Sequence, residues 1–173
     1  APEAPDVTAG SWILYDESTD TVIAELNADE ERAMASVTKI MTGLLTVENT
    51  FPAETVTISE RAANTGEKEI ELVAGETVSM DALFKALMIH SANDAATAIA
   101  EHISGSVEEF VSLMNERAAE LGLTNTSFAN PHGLDDSDHY TSARDLLHLA
   151  QVAMENPRFA EVVKAKKLVF PPA

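Results

Sequence analysis

The sequence predicts an α+β fold in which an N-terminal β-hairpin is followed by a cluster of helices. Three observations carry that expectation. Two short runs rich in Trp, Ile, Tyr and Val lie within residues 11–26, on either side of a polar turn at Ser18 to Asp20. From residue 36 onward apolar residues recur at helical spacing, punctuated by Ser caps and by Gly, Asn and Pro stops. At 173 residues the chain can bury one core and is too short to promise two.

The elements follow in order. Residues 1–10, "APEAPDVTAG", form a flexible lead-in, and 11–26 form the hairpin. Val37, Ile40, Met41, Leu44 and Leu45 mark a helix over 36–48, ended by Asn49 and Pro52. "ETVTI" suggests a short strand, and the polar stretch from Ser59 to Val78 reads as irregular with brief extended pieces. Leu83, Phe84, Leu87 and Met88 line one side of a helix that "HSAND" interrupts, and "AATAIAEHIS" resumes a second helix until Gly105. "SVEE" at 106–109 is a capping box for a helix closed by Gly122. Residues 124–140 form a turn-rich loop, and Ser142 with Asp145 starts a helix through Met154 in the same way. Asn156 and Pro157 stop it and begin a short final helix, after which "AKKLVF", 165–170, suggests a strand.

Composition narrows the function classes. Twenty-nine acidic against eleven basic residues give a net charge of −18, which repels nucleic-acid phosphates and anionic lipid headgroups. The absence of cysteine removes thiolate nucleophiles and disulfides. The five histidines show no H-E-x-x-H pair and read as scattered surface and loop residues. The acidic "DDSDH" at 135–139 lacks the ordered oxygen ligands and glycine of a calcium loop, and reads as a solvated turn.

Two short stretches can carry chemistry. In "ASVTKIMT", 35–42, Ser36 and Lys39 are three residues apart at the start of a helix, so the amine can reach the hydroxyl. A serine needs a neighbouring base to become a nucleophile, and a lysine serves only if burial or nearby positive charge lowers its pKa. The plain alternative is that Ser36 caps the helix and Lys39 is solvated. "SAN", 91–93, sits at the break between two apolar helices, where Ser91 and Asn93 either project into a cleft or act as an N-cap and a turn residue.

Taken together, in this order and 55 residues apart, "SVTK" and "SAN" resemble the S-x-x-K and S-x-N motifs of penicillin-binding proteins and serine β-lactamases. The flanks "ASVTKIMT", "SANDAA", "NPHGLDD" and "YTSARDL" resemble the low-molecular-mass penicillin-binding proteins that are serine D-alanyl-D-alanine carboxypeptidases. The likeness runs from about Ser11 to Phe170.

The resemblance implies a β-lactamase/transpeptidase-like fold and acyl transfer without metal or organic cofactor. It makes Ser36 the acylated nucleophile and Lys39 the base that takes its proton. Ser91 relays a proton toward the departing D-alanine nitrogen, and Asn93 holds a carbonyl or amide of the bound peptide. The Ser36 N–H supplies half of an oxyanion hole. The implied partners are a peptidoglycan stem peptide ending in D-Ala-D-Ala and β-lactam antibiotics, with no nucleic acid. The implied location is exported, in the cell envelope on the periplasmic or extracellular face of the cytoplasmic membrane. His132, in the family-like "NPHGL" loop, reads as a loop-stabilising imidazole.

One family feature is missing. None of the lysines at 39, 68, 85, 164, 166 and 167 is followed by Thr-Gly or Ser-Gly, so the K-T-G motif, which lies on a cleft-lining strand in the family, does not occur. Residues 11–173 are therefore expected to be an incomplete catalytic domain lacking its C-terminal sheet strands and impaired alone. A two-stranded hairpin is marginal in water, so a further segment, a second chain or a swapped neighbour is expected to complete the sheet. The rival readings are a non-catalytic peptidoglycan-peptide-binding module and a β-lactamase.

Overall fold

The computed structural model describes residues 6–165. The hairpin forms where expected, from β1, Trp12–Asp16, and β2, Thr21–Leu26, antiparallel with a bulge between Leu14 and Tyr15. A two-residue strand β3, Arg32–Ala33, leads into a tight helical turn, Ala35–Thr38, and directly into helix α1, Lys39–Asn49. The helix over 36–48 is thus a tight turn continued by an α-helix. Val37, counted among its apolar positions, is exposed.

The polar stretch after residue 54 holds more structure than its composition suggests. Strand β4, Thr55–Thr57, pairs antiparallel with β5, Thr77–Ser79, and between them lies a one-turn helix α2, Glu60–Ala63. Ser59 caps α2 by accepting from the Ala62 N–H, the usual way a serine satisfies a free helical donor. The strand expected in "ETVTI" forms as β4, and β5 overlaps the brief extended pieces expected up to Val78; the correction is the helix α2, which was not expected.

Helix α3, Met80–Lys85, runs on into a π-type turn, Ala86–His90, and the chain breaks at Ser91 before α4, Asn93–Ser104, closed by Gly105 at φ +82°. Helix α5, Val107–Glu120, starts with the Glu109 N–H donated to Ser106 Oγ, as the capping motif predicts. After the long loop, β6, Tyr140–Thr141, pairs with β3, a ladder joining residues more than 100 positions apart. Helix α6, Ala143–Glu155, is capped by Ser142. The Asp145 carboxylate accepts instead from the Asn125 N–H and the Thr126 hydroxyl, so it ties down the loop before β6. Helix α7, Pro157–Val163, starts at Asn156–Pro157 as expected. The strand expected at 165–170 lies outside the described residues save Ala165, which follows α7.

The core sits among the helices. Met41, Leu44 and Leu45 of α1, Leu83 and Phe84 of α3, Ile99 of α4, and Phe110 and Met114 of α5 are fully buried. Helix α1 is central, packing against α4, α6 and α7. Gly43 allows the close approach: a Cβ there would lie 2.6 Å from Met88 Sδ. Among the described residues no helix is long and apolar enough to cross a membrane. The consequence for function is that the start of α1 and the break before α4 are fixed on the same packed body.

Candidate active site

Lys39 is the first residue of α1 and is only 3% exposed, whereas Ser36, one turn earlier, is exposed. The amine lies 3.4 Å from Ser36 Oγ, 2.8 Å from Asn93 Oδ1 and 2.5 Å from the His132 carbonyl oxygen. An ammonium offers three donors and no acceptor, and these three oxygens match it. A neutral amine offers two protons and a lone pair. The two carbonyl oxygens then take the protons, and the lone pair is left for the Ser36 hydroxyl.

The electrostatics favour loss of that third proton. Burial pulls the Lys39 pKa down to about 8, and the Lys68 ammonium across the cleft pushes in the same direction. The carbonyls of Asn93 and His132 oppose the shift by solvating the charged form. The burial comes from the 93 and 130–134 segments rather than from Val37, which faces outward.

The turn that presents Ser36 is strained and held from two sides. Ala35 has φ +45°, a left-handed conformation costing about 1–2 kcal/mol for a residue with a Cβ. Its carbonyl accepts from Thr38 Oγ1 at 2.7 Å. On the other side Gly133, at φ +97°, packs so closely that a Cβ would lie 2.0 Å from Ala35 O and 3.0 Å from Ser36 N. Only glycine fits. The Gly133 loop is organised by Asn130, whose Oδ1 accepts from the Gly133 N–H and whose amide donates to Leu134 O. It is docked on α1 by Thr42 Oγ1, which donates to Pro131 O.

Asn93, 4% exposed, opens α4. Its side chain accepts from Lys39 and donates one amide proton to Gly66 O at 3.2 Å, while its own N–H donates to Lys68 O. Next to it the buried Asp94 carboxylate accepts from the Ile70 and Leu72 N–H groups. These bonds clamp the Gly66–Leu72 segment, and with it Lys68, to the N-terminus of α4. A cleft of about 510 Å3 remains between this segment and the 132–135 loop, floored by Ala35, Ser36 and Asn93.

Ser91 stands apart. It does not N-cap α4, since the residue before that helix is Ala92 and no side chain caps it; its backbone closes the preceding π-type turn instead, the Ser91 N–H donating to Ala86 O. It adopts φ +63°, and its Oγ is buried with no hydrogen-bond partner among the described residues. The structure therefore puts Lys39 in contact with both Ser36 and Asn93 and leaves the Ser91 hydroxyl unpaired at the adjoining helix break.

Two histidines differ in fate. The His132 ring accepts the Leu134 N–H and steadies its own loop, as expected, with its pKa pushed down to about 4 by burial and then by the Lys39 charge. His139 is corrected from a surface residue to a buried one, 3% exposed, packed edge-on to Phe128 and bonded to Thr38 Oγ1 at 2.6 Å. Sequence reasoning missed it, along with Thr38, Thr42, Gly133 and Asp94. A helical Thr three residues after Ala35 was the one local signal available.

The chain is similar to known proteins over nearly its whole length. A family model described as D-alanyl-D-alanine carboxypeptidase, of the S11 peptidases, matches residues 1–171. The chain is 45% identical over 148 residues to the D-alanyl-D-alanine carboxypeptidase DacF of Bacillus subtilis, spanning 83% of this chain and 38% of that protein. It is 38% identical over 180 residues to DacC of Escherichia coli, spanning 97% of this chain and 45% of that one. The chain thus covers less than half the length of these two relatives. Among solved structures, the carboxypeptidase DacD of Francisella tularensis superposes with a TM-score of 0.90 at 37% identity, covering 94% of this chain and 41% of that one. Penicillin-binding protein 6B of E. coli superposes at 0.91 with 32% identity, covering 98% and 57%. Both the helical cluster and the α+β class are those of the penicillin-binding, transpeptidase-like proteins, and the chain belongs to the D-alanyl-D-alanine carboxypeptidase family.

Proposed function

We propose that this chain carries the nucleophile, base and peptide-holding residues of a serine D-alanyl-D-alanine carboxypeptidase. In this reading Ser36 Oγ attacks the carbonyl between the two D-alanines of a peptidoglycan stem peptide, and Lys39 takes its proton. The tetrahedral oxyanion is met by the Ser36 N–H, a kind of donor whose loss costs ~10²–10³ in rate. Ser91 passes a proton to the departing D-alanine nitrogen, and water releases the acyl-enzyme. Asn93 orients Lys39 and offers its amide edge to the bound peptide. Penicillin acylates Ser36 by the same route, and the site faces the cell envelope.

The observation that supports this reading most is the buried Lys39 amine, 3.4 Å from Ser36 Oγ, with a pKa near 8 and two carbonyl acceptors for its remaining protons. The Ser91 hydroxyl, two residues before Asn93, has no hydrogen-bond partner among the described residues and is available for the relay role.

The second oxyanion donor and the cation for the substrate's terminal carboxylate belong, in this reading, to a segment outside these 173 residues that also extends the β1–β2 sheet. Leu14, Val22, Ile23 and Leu26 on that hairpin are 39–49% exposed, so apolar side chains stand open on both of its faces. The test uses the protein that carries this chain: fluorescent penicillin labels it covalently, and D-alanine is released from a peptide ending in D-Ala-D-Ala. Ser36→Ala abolishes both. Labelling that survives Ser36→Ala would refute the assignment, and rapid turnover of the drug would indicate a β-lactamase instead.

A further inference from the structure

We infer that His139 is a positioning residue for the Ser36 turn: its ring N–H fixes the Thr38 hydroxyl, which in turn holds the strained Ala35 carbonyl and so aims the Ser36 N–H. The inference rests on the acyl-enzyme reading above for its consequence, but its geometry stands without it.

The direction of each hydrogen bond follows from the number of protons available. Thr38 Oγ1 has a single proton, and it is donated to Ala35 O at 2.7 Å. The 2.6 Å contact with His139 must then be donated by the Nε2–H of the ring. That tautomer is enforced from the other end, because His139 Nδ1 accepts the Ala129 N–H at 3.0 Å. The ring is thus neutral and locked between the 129 loop and the Ser36 turn, 3% exposed. Burial lowers its pKa, opposed by Asp136 and Asp135 of its own loop, while His132 faces it from the 130–134 segment.

The lock matters because the Thr38 hydroxyl can otherwise rotate. With the imidazole N–H filling one lone pair, its proton is directed to Ala35 O, and donors linked in a chain strengthen one another. Ala35 sits at φ +45°, a conformation that persists only where its surroundings hold it. Besides the backbone bonds of the tight turn itself, the bond from the Thr38 hydroxyl and the close packing of Gly133 constrain the peptide that carries the Ser36 N–H. His139, 103 residues away in sequence from Ser36, is the only charged or titratable side chain bonded to this turn besides Lys39, among the described residues.

Two substitutions separate this role from simple support of the loop. The Gln amide nitrogen reaches the place of His Nε2, so His139→Gln keeps the donor to Thr38 and loses the Ala129 acceptor. The Asn oxygen reaches the place of Nδ1, so His139→Asn keeps the loop bond and loses the donor. In the protein that carries this chain, penicillin acylation should fall about ten- to a hundredfold in His139→Asn, less than the loss of an oxyanion donor outright. His139→Gln should stay within about threefold of the parent even if its melting temperature drops.

A second measurement does not need activity. In 15N spectra the His139 ring should show the Nε2–H tautomer from pH 5 to 8, and Ser36 amide exchange should quicken in His139→Asn and not in His139→Gln. Equal behaviour of the two variants, or loss confined to His139→Gln, would overturn the inference. A parent protein inert to penicillin would refute the acyl-enzyme reading alone, and the Ser36 amide would then decide this one.

Discussion

From Asn93 to Ala100 at the start of α4, eight consecutive residues are buried; across the eleven residues of β1 and β2, none is. Both segments are rich in apolar side chains, so composition does not explain the contrast. The helix is surrounded by α1, α3 and α5, while the hairpin touches the rest of the molecule chiefly through α6. Along that border Arg144, at the start of α6, donates to Glu25 and Asp29. The helical side is a finished core that fixes Ser36, Lys39 and Asn93, and the sheet side presents a surface rather than a core. The arrangement of Ser36, Lys39 and Asn93 proposed above therefore rests on the helical side and not on what lies against the hairpin.

The sharpest way to break this comparison is to cut into each region. Phe84→Ala, which empties a fully buried site against Phe159 and under the Arg158 guanidinium, should cost about 3–5 kcal/mol in urea unfolding at an unchanged m-value. Ile23→Ser on the 49% exposed hairpin face should change stability by no more than about 0.5 kcal/mol in the 173-residue chain. Equal losses would erase the distinction.

Glycines at positive φ sharpen it within the site. Gly133→Ala drives a Cβ into Ala35 O, so it should cost about 1–3 kcal/mol and reduce penicillin acylation by about a hundredfold. Gly75→Ala meets nothing within 4 Å and suffers only the backbone strain, about 1 kcal/mol, with acylation unaffected.

Protonation of Lys39 gives the next effect. With a pKa near 8, about one amine in ten is neutral at pH 7 and about nine in ten at pH 9. Acylation should therefore rise about tenfold between those values and then level off. Stability carries the same sign: between about 8 and 10.5 the unfolded lysine holds its proton and the folded one does not, so folding strengthens as pH rises through that window. Lys39→Met should lose this rise. Lys68→Ala removes the lesser of the two causes, so it should move the acylation midpoint upward while burial still holds it below the ordinary lysine value. The smallest effect belongs to the border: Arg144→Ala should lower the melting temperature slightly at low salt and not at all in about 1 M salt.

What could be read from sequence was what local chemistry writes. The hairpin, the Ser106 and Ser142 caps, the break at 91–93 and the Asn156–Pro157 start all rest on neighbouring residues, and each formed. Ser36 and Lys39 meet because a turn of helix brings them together. Asn93 joins them only through the packing of α4 on α1, which the motif resemblance supplied and periodicity could not. The β3–β6 ladder has two residues on each side and no alternation to detect. His139 looks solvated in an acidic loop, and its burial comes from contacts with Phe128 and Thr38 that no local pattern announces. Val37 reads as core by spacing and is exposed, because the chain there is a tight turn rather than a continuous α-helix. Ser59 and Glu60 did carry a helix-start signal in the polar stretch, and the composition around them masked it.

The central claim is that the Lys39 amine, buried between Asn93 and the His132 carbonyl, is poised to be neutral beside Ser36. Its direct test is the titration of the Lys39 13Cε resonance, assigned by its loss in Lys39→Met. A midpoint near pH 8 is the predicted result. A midpoint at the ordinary lysine value of 10.5 would leave Ser36 without a base and contradict the account.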